Sequence, residues 1–192
     1  DCDTHQRRMR TKLISMAMRG FTRVVVEPSG IFDVDEFFDV LRDDPLDRWY
    51  QLGNVIAIVD ALLPEQLSPQ ADYVLASECA NAGLVLLSRS QLAKPGQCEA
   101  AVAHLKRALT ACKCSRVFQP EEILAKDWAA LTDDDLACIA QCGARQASCE
   151  KLHFEEHEAF SSAYFLELGL PRARLERNIP GLFTDPAGDV PF

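Results

Sequence analysis

Three near-continuous apolar runs, each ending in a polar residue and each followed by a stretch of helical periodicity, limit what this chain can fold into. They are residues 22–27, Asn54–Asp60 (NVIAIVD) and Gly83–Ser88 (GLVLLS). Runs without polar alternation suit strands buried on both faces, the habit of parallel sheets. Around and between them lie helix patterns. Residues 4–19 place Met9, Leu13, Met16 and Ala17 at helical spacing, with Gly20 as a stop. Asp33–Arg42 repeats the pattern with Val34, Phe37, Phe38 and Leu41. Ser68 followed by Pro69 supplies an N-cap and a first-turn proline for a helix reaching Asn81. A further helix is expected over 97–111, with Cys98, Val102, Leu105 and Leu109 on one face, and a short strand over 115–119. The alternation predicts an α/β fold: a parallel sheet with helices on both faces and ligands at the carboxyl ends of the strands.

After Pro120 the character changes. Residues 121–157 read as helical and polar, and Thr132 with Asp135 forms a capping-box pattern ahead of Leu136 and Ile139. Ala159–Leu168 reads as a strand and Arg172–Phe183 as a helix. The expected division is an α/β domain over 1–120 followed by a small α+β segment over 121–192.

Composition excludes some partners. The chain has 192 residues, 48% of them hydrophobic, and a net charge of −9. Nucleic acid and anionic membranes require clustered Lys and Arg, and the one basic cluster, Arg7, Arg8, Arg10 and Lys12, reads as a solvated helix face. No apolar run approaches the roughly 18 residues of a membrane span, and the start Asp-Cys-Asp-Thr-His has no signal-peptide character, so a cytoplasmic protein is expected. In that setting the eight cysteines are expected to be reduced thiols. Cys79 and Cys98 fall within helical patterns as core residues.

The remaining cysteines and two histidines are weighed as metal ligands. His153 and His157 stand at i and i+4, on one helix face, where two imidazoles can chelate one ion. Cys138 and Cys142 share the same spacing, with Cys149 beyond them, and Cys112-Lys-Cys114 is a C-x-C. The bland alternatives are a solvated acidic helix face for the histidines and partial burial on a small helical subdomain for the cysteines.

The segment with the clearest chemistry is Arg23-Val-Val-Val-Glu-Pro-Ser-Gly30. Glu27 at a strand end could order a magnesium ion through its water shell, and Gly30, without a side chain, could bring its N–H to a terminal phosphate. On spacing alone a strand followed by a Pro-Ser-Gly turn is the favoured account. A second feature is Ser88-Arg89-Ser90-Gln91, directly after an apolar run. In nucleotidases of this layout the corresponding loop reads guanine through Asn/Thr/Ser-Lys-x-Asp. Arg89 keeps a stem and a flat guanidinium for stacking, whereas the neutral Gln91 cannot accept the bidentate pair that an Asp would.

Together, FTRVVVEPSGIFDVDEFFD, NVIAIVDA and SECANAGLVLLSRSQL resemble three consecutive blocks of the CobW-like branch of the metal-insertion GTPases, relatives of the HypB and UreG chaperones. The resemblance covers residues 8–110. It implies a P-loop NTPase-like fold, GTP and magnesium as ligands, slow GTP hydrolysis, and delivery of a metal such as zinc or cobalt to a client metalloprotein. It would place Glu27 at the magnesium and nucleophilic water, Ser29 and Gly30 at the γ-phosphate, Asp60 at the next strand end, and Ser88, Arg89 and Gln91 around the base. It makes Cys2, with His5, a remnant of the family's C-x-C-C metal motif, and His153 and His157 part of its His-rich stretch. The chain departs from the family where a G-x-x-x-x-G-K-[ST] should stand, because none of its lysines occupies that frame. The expectation is a segment of a longer GTP-dependent metallochaperone, inefficient at hydrolysis as it stands. The alternative is a nucleotide-independent metal-binding or protein-interaction module on a degenerate GTPase fold.

Overall fold

The computed structural model describes residues 2–28, 34–147 and Cys149, without the side chains of residues 2–5 and Glu36. The chain separates into two compact units, Asp1–Phe160 and Ser161–Phe192, of which only the first contains described residues. The strand and helix expected beyond residue 158 therefore lie outside the described residues.

At the centre is a three-stranded parallel sheet in the order β1-β2-β3, formed by Ile56–Asp60, Leu84–Ser88 and Ile123–Leu124. The α/β class is thus present, with two of the expected strands within two residues of their expected bounds. Between β1 and β2 runs α4 (Pro69–Ala80), and after β2 runs α5 (Gln97–Ala111). The Ser68 side chain accepts from the Ala71 N–H at 3.2 Å with Pro69 in the first turn, so α4 starts where its sequence says. Both helices lie against one core, in which Ala57 and Val59 of β1 and Val85 and Leu87 of β2 meet Ala76, Cys79, Leu105, Ala108 and Leu109. Small side chains at Ala76 and Ala108 give no bulk of their own to keep helix and sheet apart. The larger Leu105 and Leu109 supply the apolar area, at roughly 25 cal/mol per Å² removed from water.

A second, smaller core joins α1 (Cys2–Met18), α2 (Val34–Arg42) and α3 (Leu46–Trp49) around Leu13, Val40 and Leu46. The Tyr50 hydroxyl donates to the Leu13 carbonyl at 2.7 Å and fastens the group. Helix α1 ends as expected: Gly20 takes φ +77°, its N–H reaches the Ala17 carbonyl, and the Phe21 N–H reaches that of Met16. This double closure is a Schellman ending, which needs a residue tolerant of positive φ.

Three expectations are corrected. Residues 22–27 form no strand; they are irregular, with Val25 87% exposed. A strand exists only by pairing, and no described strand lies against this run, so β-propensity alone does not make it one. Residues 115–119 are likewise not a strand. There Arg116 is drawn to Glu122 and to the Ala82 carbonyl while Phe118 enters the core, and the pairing with β2 is made instead by Ile123–Leu124. Finally, the sheet is not covered on both faces at β1, where Ile58 is 67% exposed, because α1–α3 pack around a core of their own.

The region after β3 carries the expected cap. Thr132 and Asp135 form a reciprocal capping box at the start of α6 (Asp133–Gln141). Lys126 bonds the same carboxylate, and together with the Thr132 donors it lowers the Asp135 pKa to about 2. Beyond α6 the chain turns back over the amino ends of β1 and β2. The Val55 N–H donates to the Gly143 carbonyl at 2.9 Å, Asn54 bonds both the Ala140 carbonyl and the Gly143 N–H, and Ala82 bridges Ala144. Passage is possible because residue 83 is glycine: a Cβ there would lie 2.3 Å from the carbonyl oxygens of Cys142 and Gly143.

Two outcomes follow. Gly83→Ala forces that crossing apart and should destabilise the protein by about 1–3 kcal/mol, read as a lower urea midpoint. Gly53→Ala, whose added Cβ meets nothing within 4 Å, should leave the midpoint unchanged. The second concerns Glu78 on α4, whose carboxyl is pushed by burial from 4.5 up to about 7. The folded state then holds this proton more tightly than the unfolded chain, so the stability that Glu78 contributes is fully present below pH 4.5 and is lost as pH rises through about 7. Glu78→Gln should raise the urea midpoint at pH 8 and leave it unchanged near pH 4.

Candidate functional site at the carboxyl ends of the strands

Parallel pairing puts Asp60 directly opposite Ser88, the last residues of β1 and β2. The loops that leave these strands therefore emerge side by side, at the end of the sheet where open α/β folds receive ligands. The Ala61 N–H donates to the Ser88 carbonyl at 2.9 Å, extending the ladder one step past the strands. The Ser88 hydroxyl donates to the Val59 carbonyl at 3.3 Å, so this side chain is spent on the scaffold.

Asp60 organises the rest. One carboxylate oxygen accepts from the Leu62 N–H and from Arg89 Nε, each at 2.9 Å, and the other pairs with Arg89 Nη2. This is a two-point guanidinium–carboxylate contact, the geometry in which an arginine plane is fixed rather than merely attracted. It also explains the backbone at Arg89, a non-glycine residue at φ 59°, ψ 19°. Left-handed backbone is unfavourable for a long side chain, and here the ion pair, the strand on one side and the 3-10 turn Ser90–Leu92 on the other hold it. The Leu92 N–H closes that turn on the Arg89 carbonyl at 2.9 Å. Gln91 is left exposed at the turn's crest, and the Ser90 hydroxyl is buried without a hydrogen-bond partner among the described residues. Such a hydroxyl calls for an explanation in a native fold, and a polar ligand at the loop is one.

Of the residues expected at a nucleotide site, the structure brings together Asp60, Ser88, Arg89 and Gln91. Glu27 is exposed on the irregular stretch before residue 29, with no hydrogen bond or ion pair among the described residues. Ser29, Gly30, His153 and His157 lie outside the described residues. Cys2 lies in the first turn of α1, and its side chain is not described.

The cysteines correct the expectation of free thiols throughout. Cys114 and Cys149 are joined in a disulfide. A separation of 35 residues carries no signal of pairing that could be read from sequence. Cys79, Cys98, Cys112, Cys138 and Cys142 are free, with Cys79 and Cys112 buried. Among the described residues no group of three or more His, Cys, Asp or Glu side chains is placed to hold a metal ion. Among them also, no helix is long and apolar enough to cross a membrane.

One polar cluster went unremarked in the sequence. His104 on α5 is buried and lies 2.6 Å, through Nε2, from the Asp72 carboxylate on α4. Arg107 can only donate, so at 3.4 Å its Nη2 makes His104 Nδ1 the acceptor and puts the imidazole proton on Nε2, toward Asp72. The cluster borders a cavity of about 310 Å³ that Glu65 and Leu67 also line. Both ring nitrogens are engaged, so the arrangement acts as a clamp between the two helices. Its only sequence signal was a histidine beside Leu105 on an apolar helix face.

Compared with protein families, with curated proteins and with solved structures, the chain matches none.

Proposed function

We propose that this chain is the base-reading part of a CobW-like, GTP-dependent metallochaperone, a protein that binds GTP and magnesium and delivers zinc or cobalt to a client metalloprotein. The observation that carries the reading is the pairing of Asp60 with Arg89 at the carboxyl ends of adjacent parallel strands, beside the exposed Gln91. Clamped at its edge by the carboxylate, the Arg89 guanidinium keeps a flat face on which a purine would stack. Gln91 would meet the base edge with one acceptor and one amide donor, and the Ser90 hydroxyl offers a further polar contact. The ion pair is also a constraint on the reading, since an arginine held by Asp60 is positioned for stacking and not for a phosphate.

The phosphate side rests on the resemblance. Glu27 would order magnesium and the attacking water, and Ser29 and Gly30 would lie at the γ-phosphate. The magnesium would neutralise phosphate charge when bound; this chain's own contribution there is the Glu27 carboxylate, exposed and uncommitted among the described residues. Because the sequence holds no G-x-x-x-x-G-K-[ST], the amide cradle and lysine that supply much triphosphate affinity are not in these 192 residues. Binding by the chain alone should therefore be weak. Cys2, His153 and His157 remain the candidate ligands for the delivered metal.

A second reading is favoured by that same lack and by the prior engagement of Asp60: a nucleotide-independent metal-binding or interaction module on a degenerate GTPase fold. Titration of the protein with GTP and ATP, in the presence of magnesium and followed by amide chemical shifts, separates the two. The base-reading account expects GTP at millimolar concentration to shift the amides of Asp60 to Leu62 and Ser88 to Leu92. It also expects Gln91→Asp to tighten GTP binding about tenfold while leaving ATP unchanged, because only guanine offers two donors to a carboxylate and such charge-assisted pairs are worth about 1.4 kcal/mol or more. Absence of any shift with either nucleotide would favour the second reading.

A further inference from the structure

The crossing of Cys142–Ala147 over the amino ends of β1 and β2 is held in two chemically different ways. One is non-covalent. The Gly143 carbonyl takes the Val55 N–H, the Arg145 N–H reaches the Asn81 carbonyl at 3.0 Å, and the Ala147 N–H reaches the Asn81 side chain at 3.4 Å. The Arg145 guanidinium pairs with Glu122 at 3.2 Å, and the other oxygen of that carboxylate takes Arg116 at 3.1 Å. Burial works against the Glu122 charge, but the Gln119 N–H and the two guanidinium groups outweigh it and hold the carboxyl below its ordinary value. The other tie is covalent. Just past Ala147, Cys149 is bonded to Cys114, at the end of the turn that follows α5. Lys113, at φ 49°, reverses the chain between Cys112, buried in the core, and Cys114, which is only half-buried.

We propose that Cys114 and Cys149 form a reversible thiol–disulfide switch that latches the Cys142–Ala147 crossing onto the sheet when oxidised and leaves it to its hydrogen bonds when reduced. Three features support reversibility over a fixed structural bond. Both cysteines are half-buried, within reach of a small thiol. The crossing keeps its own polar contacts, so the sheet and its core do not depend on the bond. Two neighbouring thiols are quiet: burial, and then the charge of Asp72, push the Cys112 thiol up, and burial does the same at Cys142, so neither is a ready nucleophile, which leaves the exposed Cys138 as the competitor that disulfide mapping must exclude.

The chemistry balances with a low-molecular-weight disulfide, such as glutathione disulfide, as the oxidant. A thiolate of the pair attacks one sulfur of that disulfide, forming a mixed disulfide and releasing the first thiolate. The second cysteine thiolate then attacks the protein-side sulfur, closing Cys114–Cys149 and releasing the second. Overall two protein thiols are oxidised and one small disulfide is reduced to two thiols. Excess reduced glutathione runs the exchange backward.

The test uses the whole chain equilibrated in glutathione buffers of varied ratio, with the disulfide mapped by mass spectrometry and amide exchange read in each state. The switch expects Cys114–Cys149 to form and open reversibly under native conditions. On reduction, protection at Val55, Gly143, Arg145 and Ala147 should fall at least tenfold, with Val85 to Leu87 unchanged. Cys149→Ser and, independently, Cys114→Ser should show the reduced pattern whatever the buffer. A bond that resists glutathione in the folded protein, a preference for another cysteine pair, or equal protection in both redox states would overturn it.

Discussion

The α/β core of this structure and the site at its edge depend on the parallel pairing of two five-residue strands and on the small side chains over them. Ala57, Val59, Val85 and Leu87 turn to one face, where α4 and α5 present Ala76, Cys79, Ala108 and the two leucines of α5. The pairing fixes more than a core. Because β1 and β2 are in parallel register, with Asp60 opposite Ser88, their outgoing loops must start from the same level and can exchange side chains. The Asp60–Arg89 contact is the product of that register. A one-residue slip of β1 would turn its buried Ala57 and Val59 outward and carry Asp60 away from the Arg89 turn.

The opposite end of the sheet is governed by backbone rather than side chains. Gly83 lets residues 142 and 143 pass at a separation that no other residue would allow, and Asn54 and Asn81 supply amide groups on either side of the passage. Here residues 142–147 become part of the α/β unit. The Arg116–Glu122–Arg145 network and the Cys114–Cys149 bond both span from the region after α5 to this returning segment. The sheet thus has two ends with different tasks: one closed by backbone contact and a redox-active bond, the other open, with Gln91 facing solvent.

What could be read in the sequence was the local chemistry. Ser68 with Pro69, Thr132 with Asp135, and Gly20 each act through atoms within a few residues, and each ends or starts a helix where expected. The NVIAIVD and GLVLLS runs were legible because they lack polar alternation, and their parallel pairing followed from the helix between them. Residues 22–27 have similar composition and are not a strand, because what makes a strand is a neighbour, which composition cannot name. The exchange of 115–119 for 123–124 has a similar cause: Arg116 and Phe118 have tertiary partners that outbid ladder pairing. At the site, the nearness of Asp60 to the 88–91 turn was implied by the alternation, but the capture of Arg89 by Asp60 was not, and neither was the pairing of cysteines 35 residues apart. Those depend on side-chain reach across the fold, for which one sequence carries no pattern.

The reading proposed for the Asp60–Arg89 end of the sheet is recognition of a nucleotide base, and intermolecular NOEs between the protein and a guanine nucleotide would report it most directly. The account predicts contacts from the purine ring protons to the Arg89 side chain and to Gln91. Purine contacts confined to another surface, or none at nucleotide concentrations that saturate the shift changes, would contradict it.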